Sequence, residues 1–197
     1  MLRHALLCGL LCFAVATAGA RAEDAPRLTG TVVGIADGDT VDLRLDSGMI
    51  RVRLHAVDAP EHDQPYGKAS RRELSRLVYL RKVEVEPIEQ DQYDRLVARL
   101  WLGEMDVNAE LLRRGAAWVY RHYAREPDYC AFEQQARALE YGLWGLPTIP
   151  PVAPWEWRQR ESRRKPFTDY SKQPLAACID SLGKGATSAL GRTRRPP

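Results

Sequence analysis

Apolar and polar residues alternate along the chain after residue 27. Residues 28–36 are rich in β-branched side chains, and in residues 41–46 apolar and polar positions alternate strictly. The alternation resumes in residues 50–56, after an Asp-Ser-Gly sequence that is typical of a turn. Because a period of two is that of a strand with one buried face, these segments predict three successive strands.

Helical and strand-like periodicities then follow one another. We expect helices at residues 69–80, 106–114 and 128–141, where apolar residues recur at helical steps. Two further strands are expected at residues 82–88 and 95–102. The pattern predicts an α+β, mainly β fold: a closed or nearly closed five-stranded β-barrel with three packed helices.

Residues 1–22 have the pattern of a secretory signal peptide. Arg3 precedes an uncharged run over residues 5–20, which is shorter than the roughly 18 residues that a membrane-spanning helix needs. An Ala-x-Ala cleavage pattern ends at Ala22, and another ends two positions earlier. We therefore expect export to the periplasm or the extracellular space without stable membrane insertion; an uncleaved anchor is the alternative.

Export changes the interpretation of the cysteines. Removal of the signal peptide leaves Cys130 and Cys178 in a compartment that permits disulfides. They form one bridge or remain two independent thiols, and the sequence alone leaves both open. Neither belongs to a Cys-x-x-Cys pair, which is the usual signature of a zinc or thiol-redox site.

Charge is divided unevenly along the chain. The whole sequence carries 29 Lys and Arg residues against 26 acidic residues, a net charge of +3. Residues 158–197 hold ten basic and three acidic residues, a net charge of +7, whereas residues 23–157 have a net charge of −6. The composition of the basic segment is typical of a poorly ordered tail that either binds a polyanion or is simply solvated.

The chain after the signal peptide divides into two parts. We assign residues 23–145 to the folded domain and residues 146–197 to a hinge rich in Pro and Trp followed by the basic tail. The prolines of the hinge prevent regular strand pairing. Trp155 and Trp157 either clamp the hinge onto the domain or stack on bases.

Two short acidic motifs follow predicted strands. DGDT (residues 37–40) lies between the first two strands, and DAPE (residues 58–61) comes just after the third, which carries Arg53 on its polar face. Taken alone, each motif is explained as a turn or a solvated loop. Together, Asp39 and Asp58 supply the hard oxygen ligands that calcium prefers.

The remaining groups of a phosphodiester-cleaving site are also present. Glu61 is placed to take a proton from an attacking water, and Arg53 to neutralise charge that develops on the phosphate oxygens. Arg95, beside Tyr93, supplies a second cation for the leaving-group side. The residues therefore indicate a metal-assisted phosphodiesterase.

Four segments, in this order, resemble the staphylococcal nuclease (thermonuclease) family: GTVVGIADGDTVDL, VRLHAVDAPE, DQYDRLVARLWL and VNAELLRRGAAWVY. The resemblance covers about residues 28–145. It implies an OB-fold barrel with three helices and a calcium-dependent endonuclease that cleaves DNA and RNA at the P–O5′ bond, leaving 3′-phosphates.

The resemblance also assigns roles to individual residues. The implied catalytic residues are Arg53, Glu61 and Arg95. The implied calcium ligands are Asp39, Asp58 and the carbonyl of Ala59. The residues implied to contact substrate are Tyr93, Tyr120 and Tyr123.

Three departures from the family pattern bear on this assignment. The loop between Glu61 and the first helix is shorter, which affects its mobility. Ala59 replaces a Thr, which is tolerable where only the backbone is a ligand. Asp94 replaces the Gly that commonly precedes the catalytic Arg, and we expect this acid to weaken the hold of Arg95 on phosphate.

Two other classes of function stay open at this stage. A non-catalytic OB-fold protein that binds nucleic acid is the main alternative, and the basic tail, Asp94 and the shorter loop after Glu61 favour it. A protein-interaction or envelope module is the other. We expect a monomer with DNA and RNA as substrates.

Overall fold

The computed structural model describes residues 27–147, 150–162 and 164–184. The predicted signal peptide, residues 1–22, and the end of the basic tail, residues 185–197, lie outside the described residues. Within the described ranges, no helix combines the length and the apolar character needed to cross a bilayer.

The described residues form eight strands, five α-helices and one 3₁₀ helix. The strands are β1 (Leu28–Ile35), β2 (Thr40–Leu45), β3 (Gly48–Leu54), β4 (Val57–Asp58), β5 (Lys82–Gln90), β6 (Leu96–Leu102), β7 (Met105–Asp106) and β8 (Trp118–Val119). The α-helices are α1 (Gly67–Val78), α2 (Val107–Arg113), α3 (Pro127–Ala138), α4 (Pro154–Trp157) and α5 (Leu175–Ser181). A 3₁₀ helix covers Gly142–Gly145.

Five strands close into the predicted barrel. They are hydrogen-bonded in the order β3-β2-β1-β5-β6, and β6 pairs back onto β3 in parallel, which closes the sheet. Val41 faces Val52 in the β2–β3 register, and both are fully buried. The alternation of apolar and polar residues therefore places one face of each strand inside the barrel, as expected for a period of two.

Helix ends differ from the predicted ones for local reasons. α3 ends at Ala138, and Glu140 and Gly142 then adopt positive φ angles of 53° and 57°. This left-handed backbone ends an α-helix, so Leu143 lies in the 3₁₀ helix and not on α3. In β5, the pairing is irregular between Pro87 and Glu89, since proline has no N–H to donate.

A buried carboxylate attaches α3 to strand β8. Glu133 is 1% exposed, accepts a hydrogen bond from the backbone N–H of Val119 at 2.6 Å, and pairs with Arg121 and Arg137. A buried acid is stable only with such partners. Arg137 also donates to the carbonyl of Tyr170 at 2.6 Å, so the same cluster holds the C-terminal segment.

The C-terminal segment, residues 150–162 and 164–184, folds back onto the domain, and we call it the extension. Its α5 is joined to α3 by a disulfide between Cys130 and Cys178, whose Cα atoms are 5.9 Å apart. The two cysteines are thus bridged and are not independent thiols. The prediction of a poorly ordered tail is wrong for residues 164–184, because the disulfide and the Arg137 hydrogen bond attach them to α3.

The disulfide closes a sequence separation of 48 residues. We expect the double change Cys130→Ala/Cys178→Ala to lower the free energy of unfolding by about 4 kcal/mol, since the open loop regains chain entropy when unfolded. Urea denaturation in oxidising buffer measures this loss. A reductant should destabilise the unaltered protein similarly and leave the variant unchanged; equal stability of the two oxidised proteins would contradict the prediction.

Candidate active site

All nine residues singled out from the sequence line one cavity of about 580 Å³. Strand β3 contributes Arg53, the turn before β2 contributes Asp39, and β4 contributes Asp58. The neighbouring lining residues are Ala59, Glu61, Tyr93, Arg95, Tyr120 and Tyr123. Barrel closure therefore brings together positions that are far apart in the chain.

Two buried aspartates share one arginine at the base of the cavity. Asp39 and Asp58 are 5% and 1% exposed. The guanidinium of Arg53 donates to Asp58 at 3.0 Å and forms an ion pair with Asp39. The backbone N–H of Ala59 donates at 2.7 Å to the same Oδ2 atom of Asp39 that pairs with Arg53. These contacts orient both carboxylates and offset the cost of burying them.

Gly38 explains why the DGDT turn lies so close to α1. A Cβ atom at this position would lie 2.6 Å from the Cβ of Ala59 and would collide with the hydroxyl of Ser70 on α1. Only glycine leaves room for the helix, the turn and the DAPE loop to meet. The turn therefore needs Gly38 for close packing.

The loop after Glu61 is held by the extension. Gln64 accepts a hydrogen bond from the N–H of Glu61 at 3.1 Å and donates to the carbonyl of Val152 at 2.6 Å. Asp63 accepts from the indole of Trp157 at 3.1 Å and from Arg160 at 2.7 Å. The shortening noted in the sequence thus goes with direct attachment of this loop to the extension.

Arg95 is held by an acid other than the expected one. Its Nε donates to Asp91 at 2.8 Å, and its guanidinium lies 5.4 Å from the centre of the Tyr93 ring. Burial raises the pKa of Asp91, but hydrogen bonds from Arg95 and the backbone outweigh it and lower the pKa overall. Asp94, expected to engage Arg95, instead accepts from Gln90 and has a φ of 62°. That left-handed conformation explains why glycine is common at this position.

Aromatic rings form part of the cavity wall. The rings of Tyr120 and Tyr123 meet edge to face with centroids 4.8 Å apart, and Trp155 stacks on Tyr120 at 6.0 Å and 7°. Burial and the charge of Asp58 raise the pKa of the Tyr120 hydroxyl. Trp155 therefore clamps the extension against Tyr120, one of the two roles considered for it.

The structure adds one residue that the motifs do not indicate. Arg158 follows α4 and donates to both carboxylate oxygens of Asp58, at 3.1 and 2.9 Å, and to Glu61 at 2.7 Å. Burial opposes its charge, but these two acids raise the pKa of Arg158. By sequence it is one of ten basic residues in the tail, and no local pattern distinguishes it.

The donor set suits a hard divalent cation. Asp39 and Asp58 are oriented carboxylates beside the backbone of Ala59, and such oxygens are the ligands of calcium and magnesium. Across the described ranges, no group of three or more His, Cys, Asp or Glu side chains is arranged to hold a metal. A cation here would rest on two carboxylates, a carbonyl and water.

Known proteins are similar to most of this chain. The family model described as Staphylococcal nuclease homologue matches residues 51–145. Protein ParB of Escherichia coli is 37% identical over 149 residues, covering 70% of this chain and 83% of that protein. An uncharacterized endonuclease of Haemophilus influenzae is 36% identical over 171 residues, covering 86% and 92%. A micrococcal nuclease of Shigella flexneri is 36% identical over 141 residues, covering 66% and 80%.

The role of Gln64 in attaching the DAPE loop is testable. We expect Gln64→Ala to lower the free energy of unfolding by about 1–2 kcal/mol, because the N–H of Glu61 and the carbonyl of Val152 both lose their partner. Urea denaturation measures the loss, and amide hydrogen exchange at Glu61 should accelerate. Gln135→Ala, on the exposed side of α3, is the control; an equal effect of both changes would contradict the role.

Proposed function

We propose that this chain, which belongs to the staphylococcal nuclease family and is a nuclease, is an exported calcium-dependent endonuclease that cleaves DNA and RNA at the P–O5′ bond, leaving 3′-phosphates. The supporting observation is that one cavity gathers both oriented aspartates, Glu61 and the arginines. A protein that only bound nucleic acid would gain nothing from carboxylates placed where phosphate must lie.

The ligands of the cation are proposed to be Asp39, Asp58 and the carbonyl of Ala59. A bound calcium ion would polarise the phosphate and lower the cost of bringing water to it. Arg53 keeps both aspartates oriented through its hydrogen bond to Asp58 and its ion pair with Asp39. Because these acids are nearly fully buried, their geometry is preorganised.

Glu61 is proposed to receive the proton of the attacking water. Its side chain is 37% exposed at the cavity wall, so it is accessible to solvent and substrate. Arg53 and Arg95 are proposed to neutralise the charge that grows on the phosphate oxygens. Asp91 positions Arg95 by accepting a hydrogen bond from its Nε, and Tyr93 lies against its guanidinium.

Export is proposed from residues 1–22 and is supported by the disulfide. Bridged cysteines persist in oxidising compartments such as the periplasm and are rare in the cytosol. The nuclease would then meet nucleic acid outside the cytoplasm as a monomer.

A cleavage assay tests calcium dependence directly. Purified protein is incubated with single-stranded DNA and, separately, RNA in the presence of calcium or of a chelator. We expect cleavage of both substrates with calcium, fragments ending in 3′-phosphate, and loss of cleavage with the chelator. Equal cleavage in the two conditions would refute the calcium requirement, and binding without cleavage would indicate the non-catalytic alternative.

The two arginines are tested by truncation. Arg53→Ala and Arg95→Ala should each lower kcat by about 10²-fold or more, as for other oriented groups that stabilise charge in a transition state. Arg76→Ala removes an equal charge from the exposed side of α1 and should leave kcat unchanged. Steady-state kinetics measures all three, and normal turnover in either site variant would remove that arginine from the mechanism.

A further inference from the structure

We propose that Arg158 is a third arginine of the substrate site, which holds Asp58 and Glu61 in the free protein and transfers to a phosphate of the bound nucleic acid when a cation takes Asp58. The inference rests on the proposed function and adds a substrate-binding residue from the extension, outside the segments that resemble the family.

The extension places Arg158 in the cavity by several independent contacts. Its backbone N–H donates to the carbonyl of Pro154 at 2.9 Å, which continues the turn of α4. Just before it in the chain, Trp155 stacks on Tyr120 and Trp157 donates to Asp63. The backbone position is therefore held without help from the guanidinium, whatever that group contacts.

Glu156 on α4, two residues before Arg158, strengthens this placement. Glu156 is 6% exposed and accepts hydrogen bonds from the backbone N–H of Thr168 at 2.8 Å and from its hydroxyl at 2.7 Å. α4 is thus attached to the segment that contains Thr168 and Tyr170, and that segment is attached to α3 through Arg137. The chain that carries Arg158 is built into the fold.

Arg158 is the most exposed of the three arginines that line the cavity. Its side chain is 39% exposed, against 28% for Arg95 and 13% for Arg53. Arg53 forms ion pairs with both aspartates, and Arg95 is engaged by Asp91. Arg158 is therefore the arginine of this cavity that is most accessible to solvent and to an incoming nucleic acid strand.

A cation and Arg158 compete for the same oxygens. Both oxygens of Asp58 accept from Arg158, and one of them also accepts from Arg53. A cation on Asp58 needs a lone pair directed at it and repels the guanidinium. Because the backbone stays anchored, the released group remains at the cavity, where its planar fork matches two oxygens of a phosphate.

The test compares Arg158→Gln with Arg160→Gln. The Arg160→Gln change removes the same charge two residues away. The side chain of Arg160 pairs with Asp63 and does not line the cavity. Calorimetry measures calcium affinity without nucleic acid. Fluorescence anisotropy measures binding of a nuclease-resistant phosphorothioate oligonucleotide in calcium at several salt concentrations. Neither readout requires cleavage, so loss of the proposed function and loss of this inference are distinguishable.

We expect Arg158→Gln to bind calcium more tightly than the unaltered protein, since a competitor is gone. Its oligonucleotide affinity should fall by about tenfold, the effect of one charged hydrogen-bonding group. The slope of log affinity against log salt should become shallower by about 0.7, which corresponds to one lost phosphate contact on a single strand. Arg160→Gln should leave the calcium affinity and the slope unchanged.

Two results with the glutamine variants would overturn the proposal, and one with a lysine variant would do so as well. If Arg158→Gln binds calcium more tightly but keeps the salt slope of oligonucleotide binding, Arg158 only blocks the cation site. If Arg158→Gln and Arg160→Gln lose the same amount of that slope, Arg158 is part of a general basic surface. Thermal melting checks folding; should Arg158→Gln fail to fold, Arg158→Lys keeps the charge without the fork. The lysine variant should keep the slope and lose affinity, and an affinity equal to that of arginine would also overturn the proposal.

Discussion

The pairing of two buried aspartates with one arginine is the constraint on which the rest of the site depends. Asp39 and Asp58 come from different elements, and Arg53 pairs with both of them and so offsets part of the cost of burying them. Arg53 in turn is placed by barrel closure, since β3 pairs with β2 on one side and with β6 on the other. The barrel is thus the frame that makes a concentrated negative charge possible.

The extension provides the counterpart of that negative charge. Residues 23–157 carry a net charge of −6 and residues 158–197 carry +7, and the first basic residue of the latter set is the one that contacts Asp58 and Glu61. The near-neutral total conceals two complementary parts. The disulfide, the Glu133 cluster and the Trp155 stack hold those parts against each other.

Local sequence signals predicted the elements better than their ends. The barrel strands and three main helices follow from periods of two and of about 3.6 residues, because such periods reflect burial of one face. The errors come from backbone conformations with no strong local signal, such as the positive φ of Glu140 after α3. The prediction of poor order was wrong for residues 164–184, because their attachment depends on Cys130 and Arg137, which lie distant in sequence.

The sequence by itself determined the fold class and indicated Asp39, Arg53, Asp58, Glu61 and Arg95, since strand periodicity and short motifs are local properties. The roles of Ala59 and of the three tyrosines followed only from the resemblance to the family. Only the tertiary structure decided which charges pair. Asp91, not Asp94, engages Arg95, and Arg158 reaches Asp58 across 100 residues of chain. Charge pairing depends on distances of a few ångströms between remote segments, and no pattern along the chain records those distances.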